Sequence, residues 1–317
     1  MDKSRVSGHF GTINRILTSI FISVASFSLA LLVGALLIQF MDLSPVEAYR
    51  NLLRGSLGSI NAFGESVVTM TPLVFTGLSF AMGRRGGMVN LGAQGQLYIG
   101  ALFATAAGVY LQGLPMVIHL PIAISCAFLG GGLWGLVAGF LKVKFGASEI
   151  ITTIMLNHIA ISFTNFMVVG PMIEPPGNWP QTARVEQSAR LLQFVPGTRI
   201  HLGIILAILM AYLMYRFLWQ TSIGYETRVV GYNPEAAKYA GMRAGRVAML
   251  TMFLAGGMAG LAGATEILGV QFRLMQDFGA KTGFEGIAVA LLGKNYPFGI
   301  LVSAFLFGAI KAGSNTM

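Results

Sequence analysis

The chain has 317 residues, 55% of them hydrophobic and only 10% charged, with 41 glycines and 17 methionines. A soluble domain carries about 25% charged residues, so this composition excludes a soluble protein and predicts an all-α, polytopic membrane helix bundle. The net charge of +9 would suggest nucleic acid in a soluble chain, but here the basic residues must first be placed relative to a bilayer, and a positive-inside bias explains most of them; the single Cys126 excludes an internal disulfide or a cysteine metal cluster.

The uncharged run 16–41 is longer than the h-region of about 7 to 15 residues in a cleavable signal, and no A-x-A-like site follows it, so it reads as a first span. A crossing helix needs about 20 apolar residues. On that ruler further spans are expected near 66–83, 90–111, 117–141, 147–170, 202–219 and 248–270, with a turn at "QGLPM" dividing the long run 86–141. "GFEGIAVALLG" (283–293) is too short to cross and reads as a short or broken helix, with 296–312 after it. The expectation is about nine hydrophobic segments in a single transmembrane domain, 1–317.

With the N-terminus in the cytoplasm, Lys3, Arg5, Arg15, Arg84, Arg85, Lys142, Lys144, Arg216, Arg228, Lys238, Arg243, Arg246 and Lys294 fall inside. Arg50, Arg54, Arg184, Arg190, Arg199, Arg273, Lys281 and Lys311 fall outside, mostly in longer segments that weigh less in orientation. Segment 171–201, which holds many of the prolines, is then an outer loop cap with one short helix expected near 183–193. Segment 220–247 is a cytoplasmic loop. Gly131, Gly135 and Gly139, and Gly256 and Gly260, repeat every four residues, a spacing that lets helix backbones approach.

Polar groups within the bilayer are costly and are the first functional candidates. In "MVNLGAQGQLYIGA" (88–101), Asn90 and Gln94 share a helix face, with Gln96 roughly opposite and glycines at 92 and 95 able to break a helix and free backbone groups. In "SEIITTIMLNHIAISFTN" (148–165), Glu149, Thr153 and Asn157 form an i, i+4, i+8 stripe with His158 beside it. Phe284 and Glu285 open the short late segment, and Glu266 lies late in the seventh span. An aromatic ring, amides and a carboxylate suit a polar, planar solute, so Asn90, Gln94, Gln96, Asn157, His158, Phe284 and Glu285 are the candidate substrate-binding residues. Helix caps and interhelical hydrogen bonds would use the same residues. An ion-coupled transporter working through Glu149, His158 or Glu266 is the alternative from another class.

Catalysis finds no support. There is no G-x-x-x-x-G-K-[ST] loop, so the chain is not expected to bind ATP, and His9, His119, His158 and His201 have no metal-ligand spacing. No cofactor of its own is expected.

"VVGYNPEAAKYAGMR" (229–243) is written as a short capped helix: Asn233 at the N-cap, Pro234 at the first position, Glu235 near the start, Lys238 near the end, and Gly241 to close it. Two turns are unstable alone in water, so it is expected to sit in a partner's groove. "GYETRVVGYNPEAAKYAGM" resembles the coupling loop of bacterial ATP-binding cassette importer permeases, which docks onto the ATPase. The matching residues are Gly231, Asn233, Pro234, Glu235, Ala236, Ala237, Tyr239, Ala240 and Gly241. "MVNLGAQGQLYIGA", "TTIMLNHIA" and "GFEGIAVALLGKNYPFG" are similar to three further motifs of the branched-chain amino acid and simple-sugar permease superfamily. "GPMIEPPGNWPQT" with "GTRIHLG" resembles the longer of the two permeases in its nucleoside (guanosine or purine nucleoside) branch. The resemblance, over roughly 60–317, implies several partners: a cytoplasmic ATP-binding cassette ATPase that binds the ATP, a second homologous permease, and a substrate-binding lipoprotein. It also implies residence in the bacterial inner membrane and a nucleoside cargo, with a simple sugar as the alternative. Gln94 stands where that superfamily usually has glutamate. The chain stops at "GAIKAGSNTM", where a tenth segment would be expected.

Overall fold

The computed structural model describes residues 28–279 and 281–316, which are about 75% helical and contain no strand. The helices are α1 (Ser28–Phe40), α2 (Pro45–Leu57), α3 (Ile60–Arg85), α4 (Ala93–Tyr110), α5 (Met116–Phe145), α6 (Glu149–Val169), α7 (Gly203–Gln220), α8 (Ser222–Tyr232), α9 (Pro234–Tyr239), α10 (Ala244–Glu266), α11 (Thr282–Leu292) and α12 (Pro297–Ser314).

Six of these are long and apolar enough to cross a membrane, or seven if α1 and α2, bent by 117° at their junction, count as one. Three causes separate this from the expected nine segments. α4 carries Gln94 and Gln96, which lower its hydropathy; α11 has 11 residues, about half a bilayer thickness at about 1.5 Å each; and the first part of the 16–40 span lies outside the described residues. The α1–α2 bend follows from local chemistry: Asp42 has φ 57°, and Ser44 then caps α2 by accepting from Glu47 N at 3.4 Å, with Pro45 in the first turn.

The bundle is layered. α3 is buried over 94% of its apolar window, whereas the corresponding share of α6 is 22%, and α6 turns Ile151, Met155, Ile159 and Phe166 outward. An apolar outer face and a helix buried all round together describe a protein solvated by lipid.

The predicted glycine contacts are where α4, α5 and α10 meet. A methyl group at Gly131 would lie 2.7 Å from Gly260 Cα, one at Gly135 would lie 3.1 Å from Gly256 Cα, and one at Gly100 would collide with the Gly260 backbone. Without hydrophobic drive inside lipid, such close van der Waals contact is what holds helices together.

Segment 171–201 does not form the helix expected near 183–193. It contains one 3₁₀ turn, Gln187–Ala189. The cause is a competing set of backbone partners: Thr182 N donates to Leu274 O (2.9 Å), Val185 N to Phe272 O (2.9 Å) and Leu191 N to Leu268 O (2.8 Å). The segment therefore runs extended along the unwound end of α10 and buries Val185, Ala189 and Leu191 against the core. His201, also buried, accepts at Nδ1 from Gly203 N (3.1 Å), and its ring rests on Gly269. Burial pulls its pKa from 6.5 down to about 4. The folded state therefore binds fewer protons than the unfolded one between those values, and stability falls as pH drops from about 6.5 to about 4. Melting temperatures of the purified chain across that range are expected to fall more steeply than those of His201→Asn. Parallel curves would remove His201 from the pH response.

Candidate functional site

α4 and α11 both begin inside the bundle, and their first turns are held there by side-chain amides. After α3 ends at Arg85, a turn at 86–87 and an irregular stretch at 88–91 lead back into the core before α4 starts. Asn90 Nδ2 donates to Ser79 Oγ (3.1 Å) and Gln96 Oε1 (2.8 Å), while its Oδ1 accepts from Gln96 Nε2 (3.1 Å) and Gly92 N (3.0 Å). Asn157 of α6 accepts from Gly95 N (2.7 Å) and donates to Leu91 O (2.8 Å). Gln94, 3% exposed, accepts from Gly283 N (2.7 Å) and donates to Gly279 O (2.9 Å). Four predicted residues thus gather at these helix starts, Asn90 and Gln96 bonded to each other and Asn157 and Gln94 to backbone. Their hydrogen-bonding groups are taken by one another and by backbone that irregular geometry would otherwise leave unpaired, so in this conformation they position the two helix starts.

The other predicted contacts are not brought to this junction. His158 and Phe284 are exposed on the outer faces of α6 and α11, because each is one position from the buried residue beside it, Asn157 or Gly283. Glu285 pairs instead with Lys311 at 2.7 Å. The groups required by an ion-coupled route are also dispersed: Glu149 pairs with Lys142 at 2.9 Å, and no hydrogen bond or ion pair links Glu149, His158 and Glu266 among the described residues.

Thr282, the first residue of α11, helps to line a cavity of about 180 Å³ with Glu65, Thr69, Arg199, Glu266 and Lys311. Arg199 forms a two-pronged ion pair with Glu65, its Nε donating to Oε1 at 2.8 Å. Glu266 lies where α10 widens into a π turn, Ile267–Gln271, a distortion often found at functional sites. No cation lies within 4 Å of Glu266 among the described residues. Glu65 and Thr69 also wall an adjoining cavity of about 500 Å³ that includes Asn51, Arg54, Asn61 and Thr316. Carboxylates, cations and hydroxyls around a small space can exchange hydrogen bonds with a polyhydroxyl solute, and no aromatic ring lines either chamber. The amides had been legible in the sequence. Arg199 and Lys311 read in the sequence only as basic residues of the outer side, and nothing there singles out Glu65.

At the opposite end of α7, the capped helix is present as α9. Asn233 Oδ1 accepts from Glu235 N and Ala236 N (both 3.1 Å), Lys238 pairs with Glu235 at 2.8 Å, and Gly241 takes φ 78°. Its support is partly its own chain: Ala237 is buried against Val230 and Val247, at the end of α8 and the start of α10. α8 was missed because "SIGYETRVVGY" reads as a polar loop. Its signal was Thr221, whose hydroxyl accepts from Gly224 N (3.0 Å). Tyr232, at the end of α8, and Tyr239, the last residue of α9, are 95% and 94% exposed.

The chain is 36% identical to the guanosine ABC transporter permease protein NupP of Bacillus subtilis, over 95% of this chain and 87% of that protein. It is 33% identical to the nucleoside ABC transporter permease protein NupB of Lactococcus lactis, over 90% and 81%. It is 32% identical to the glucose ABC transporter permease protein TsgB13 of Haloferax volcanii, over 91% and 78%. No solved structure matches. The family described as branched-chain amino acid transport system / permease component matches residues 63–317, and the chain belongs to that family of multi-pass membrane permeases.

Proposed function

We propose that the chain is the membrane-spanning subunit of an importer that carries nucleosides across the bacterial inner membrane, with its N-terminus cytoplasmic. A separate ATP-binding cassette ATPase supplies the energy, and a second permease and an extracytoplasmic binding lipoprotein complete the assembly. The observation that carries the reading is α9. A capped helix fixed on its own chain by Ala237, with Tyr232 and Tyr239 almost wholly uncovered, is a ready contact for an ATPase surface. Relatives named for guanosine and nucleosides support the cargo. ATPase closure would press on α9, move α8 and α10 with it, and bias the bundle between two packings, as alternating access requires.

The chamber walled by Glu65, Arg199, Glu266 and Lys311 is the segment of the path that would meet the sugar hydroxyls of the cargo. Its lack of aromatic rings, together with the relative named for glucose, favours a second reading in which a simple sugar is carried.

Uptake of labelled guanosine, uridine and ribose by cells expressing the chain with its partners separates these readings. Nucleoside uptake lost on ATP depletion and kept with a protonophore is expected; ribose uptake alone would select the sugar reading, and uptake without the ATPase would overturn both. Glu235→Arg is expected to reduce ATP-driven uptake at least about tenfold at normal expression, since it reverses the charge at the helix start and breaks the Lys238 pair. Normal uptake in that variant would remove α9 from the coupling.

A further inference from the structure

Four cations converge at the α8–α9 end of the bundle with no acidic partner among the described residues. Arg84 and Arg85 come from the end of α3, Arg228 from α8, and Lys294 from the turn between α11 and α12. All four line one cavity of about 510 Å³, and no carboxylate does. None of the four lies within 4 Å of an acidic group among the described residues. An inside bias of basic residues accounts for their number on this face, but not for their meeting around one hollow.

The contacts within the hollow are incomplete. The Arg85 guanidinium lies 5.3 Å from the centre of the Trp219 ring, and that of Arg228 lies 5.9 Å from it. Arg85 Nε donates to Asn295 O at 3.2 Å. Arg228 Nε and Asn295 Oδ1 are buried without a hydrogen-bond partner among the described residues. A buried polar group left unpaired is destabilising, and like charges gathered in a partly dry hollow add repulsion. An anion bearing several oxygens removes both penalties. Arginine forks take such oxygens in pairs and lysine adds a point charge, which is the chemistry of phosphate recognition. The volume lies within the range of about 300–1,000 Å³ typical of small-ligand sites.

We propose that this cavity binds a phosphate group, carried either by the headgroup of an anionic phospholipid or by a free phosphate compound. The surrounding rings point to the depth at which it sits: Trp219 stacks on Tyr215 (5.3 Å) and meets Tyr296 edge-on (5.5 Å), with Phe298 5.4 Å from Tyr215. Clustered Trp and Tyr are the signature of the membrane–water interface, where headgroup phosphates lie. A bound phosphate would brace α8 against α3, next to the close contact of Gly231 with the Arg85 carbonyl.

The test uses the full chain purified in detergent. Native mass spectrometry with added phosphatidylglycerol or phosphatidylcholine is expected to show about tenfold preference for the anionic lipid, since the choline ammonium of the zwitterionic headgroup is repelled by the four cations that hold the phosphate. Arg228→Gln/Lys294→Gln should lose the preference. Arg216→Gln/Arg243→Gln, with the same change in net charge outside the cavity, should keep it. Displacement of the lipid by inorganic phosphate assigns the site to free phosphate compounds, and failure to displace assigns it to the headgroup. Equal retention of both lipids with no binding of inorganic phosphate overturns the proposal, as does equal loss in the two double variants. Should the cavity variant fail to fold, Arg84→Gln on the exposed rim takes its place and is expected to weaken retention about threefold; unchanged retention in it overturns the proposal.

Discussion

Gly260→Val is expected to abolish the folded permease, leaving little or no monodisperse protein after extraction. A Cβ on Gly260 would collide with the Ala127 carbonyl oxygen and lie 3.1 Å from Gly131 Cα. Both obstacles are backbone, so neither can swing aside, and α10 must separate from α5. Overpacking in a well-packed core typically costs about 1–3 kcal/mol, and backbone against backbone belongs at or above the top of that range. In lipid the loss is compounded, because two separated helices gain no water-exclusion energy from re-forming elsewhere. Gly139→Ala is the milder control: its added methyl group would meet Met252 Cβ at 3.1 Å and Met249 Cα at 3.3 Å, so a small shift between the two helices relieves it, and it is expected to express normally. Size-exclusion profiles of the two variants decide the matter. A normal profile for Gly260→Val would mean that the crossing of α4, α5 and α10 is looser than its glycines imply.

Gln94→Ala is expected to leave a folded protein whose uptake falls more than about tenfold. The substitution strands Gly279 O and Gly283 N, the two backbone groups that Gln94 holds, at about 1–3 kcal/mol each. It frees the start of α11, and with it Thr282 in the wall of the cavity. Gln94→Glu is more informative. A carboxylate still accepts from Gly283 N but faces the Gly279 carbonyl with no proton to give, so uptake should fall at neutral pH. Acid returns the proton and the donor, and uptake by this variant relative to the parent should rise as pH falls. Parent-like uptake by Gln94→Ala would show that the tie does not position α11. A flat pH ratio for Gln94→Glu would show that the donor is not the missing part.

The sequence revealed what rests on local chemistry. Asn233, Pro234 and Gly241 announced α9 because a helix cap is settled within a few residues, and the four-residue glycine spacing announced the contact of α5 with α10. Residues that the charge pattern groups also meet in space: Arg84, Arg85, Arg228 and Lys294, all expected on one face, line one hollow, while Arg54, Arg199 and Lys311, expected on the other, line the two adjoining chambers. The partners of the amides were hidden because they lie far along the chain, as Gln94 does from Gly279 and Gly283, and no periodicity joins them. The cavity was hidden for the same reason, with Glu65, Arg199, Glu266 and Lys311 contributed by four separate segments. The 183–193 segment misled because its apolar spacing suits a helix, while its backbone partners are supplied by residues near 270.

Those residues tie two regions together. The stretch 266–274 gives Glu266 and Val270 to the wall of the inner chamber and gives Leu268 O, Phe272 O and Leu274 O to the extended segment above it. Lid and wall are therefore cut from one strip of chain. Whatever docks on the lid pulls on the same short ribbon that shapes the space beneath, so neither surface can be tuned, by a ligand or by mutation, without tugging on the other.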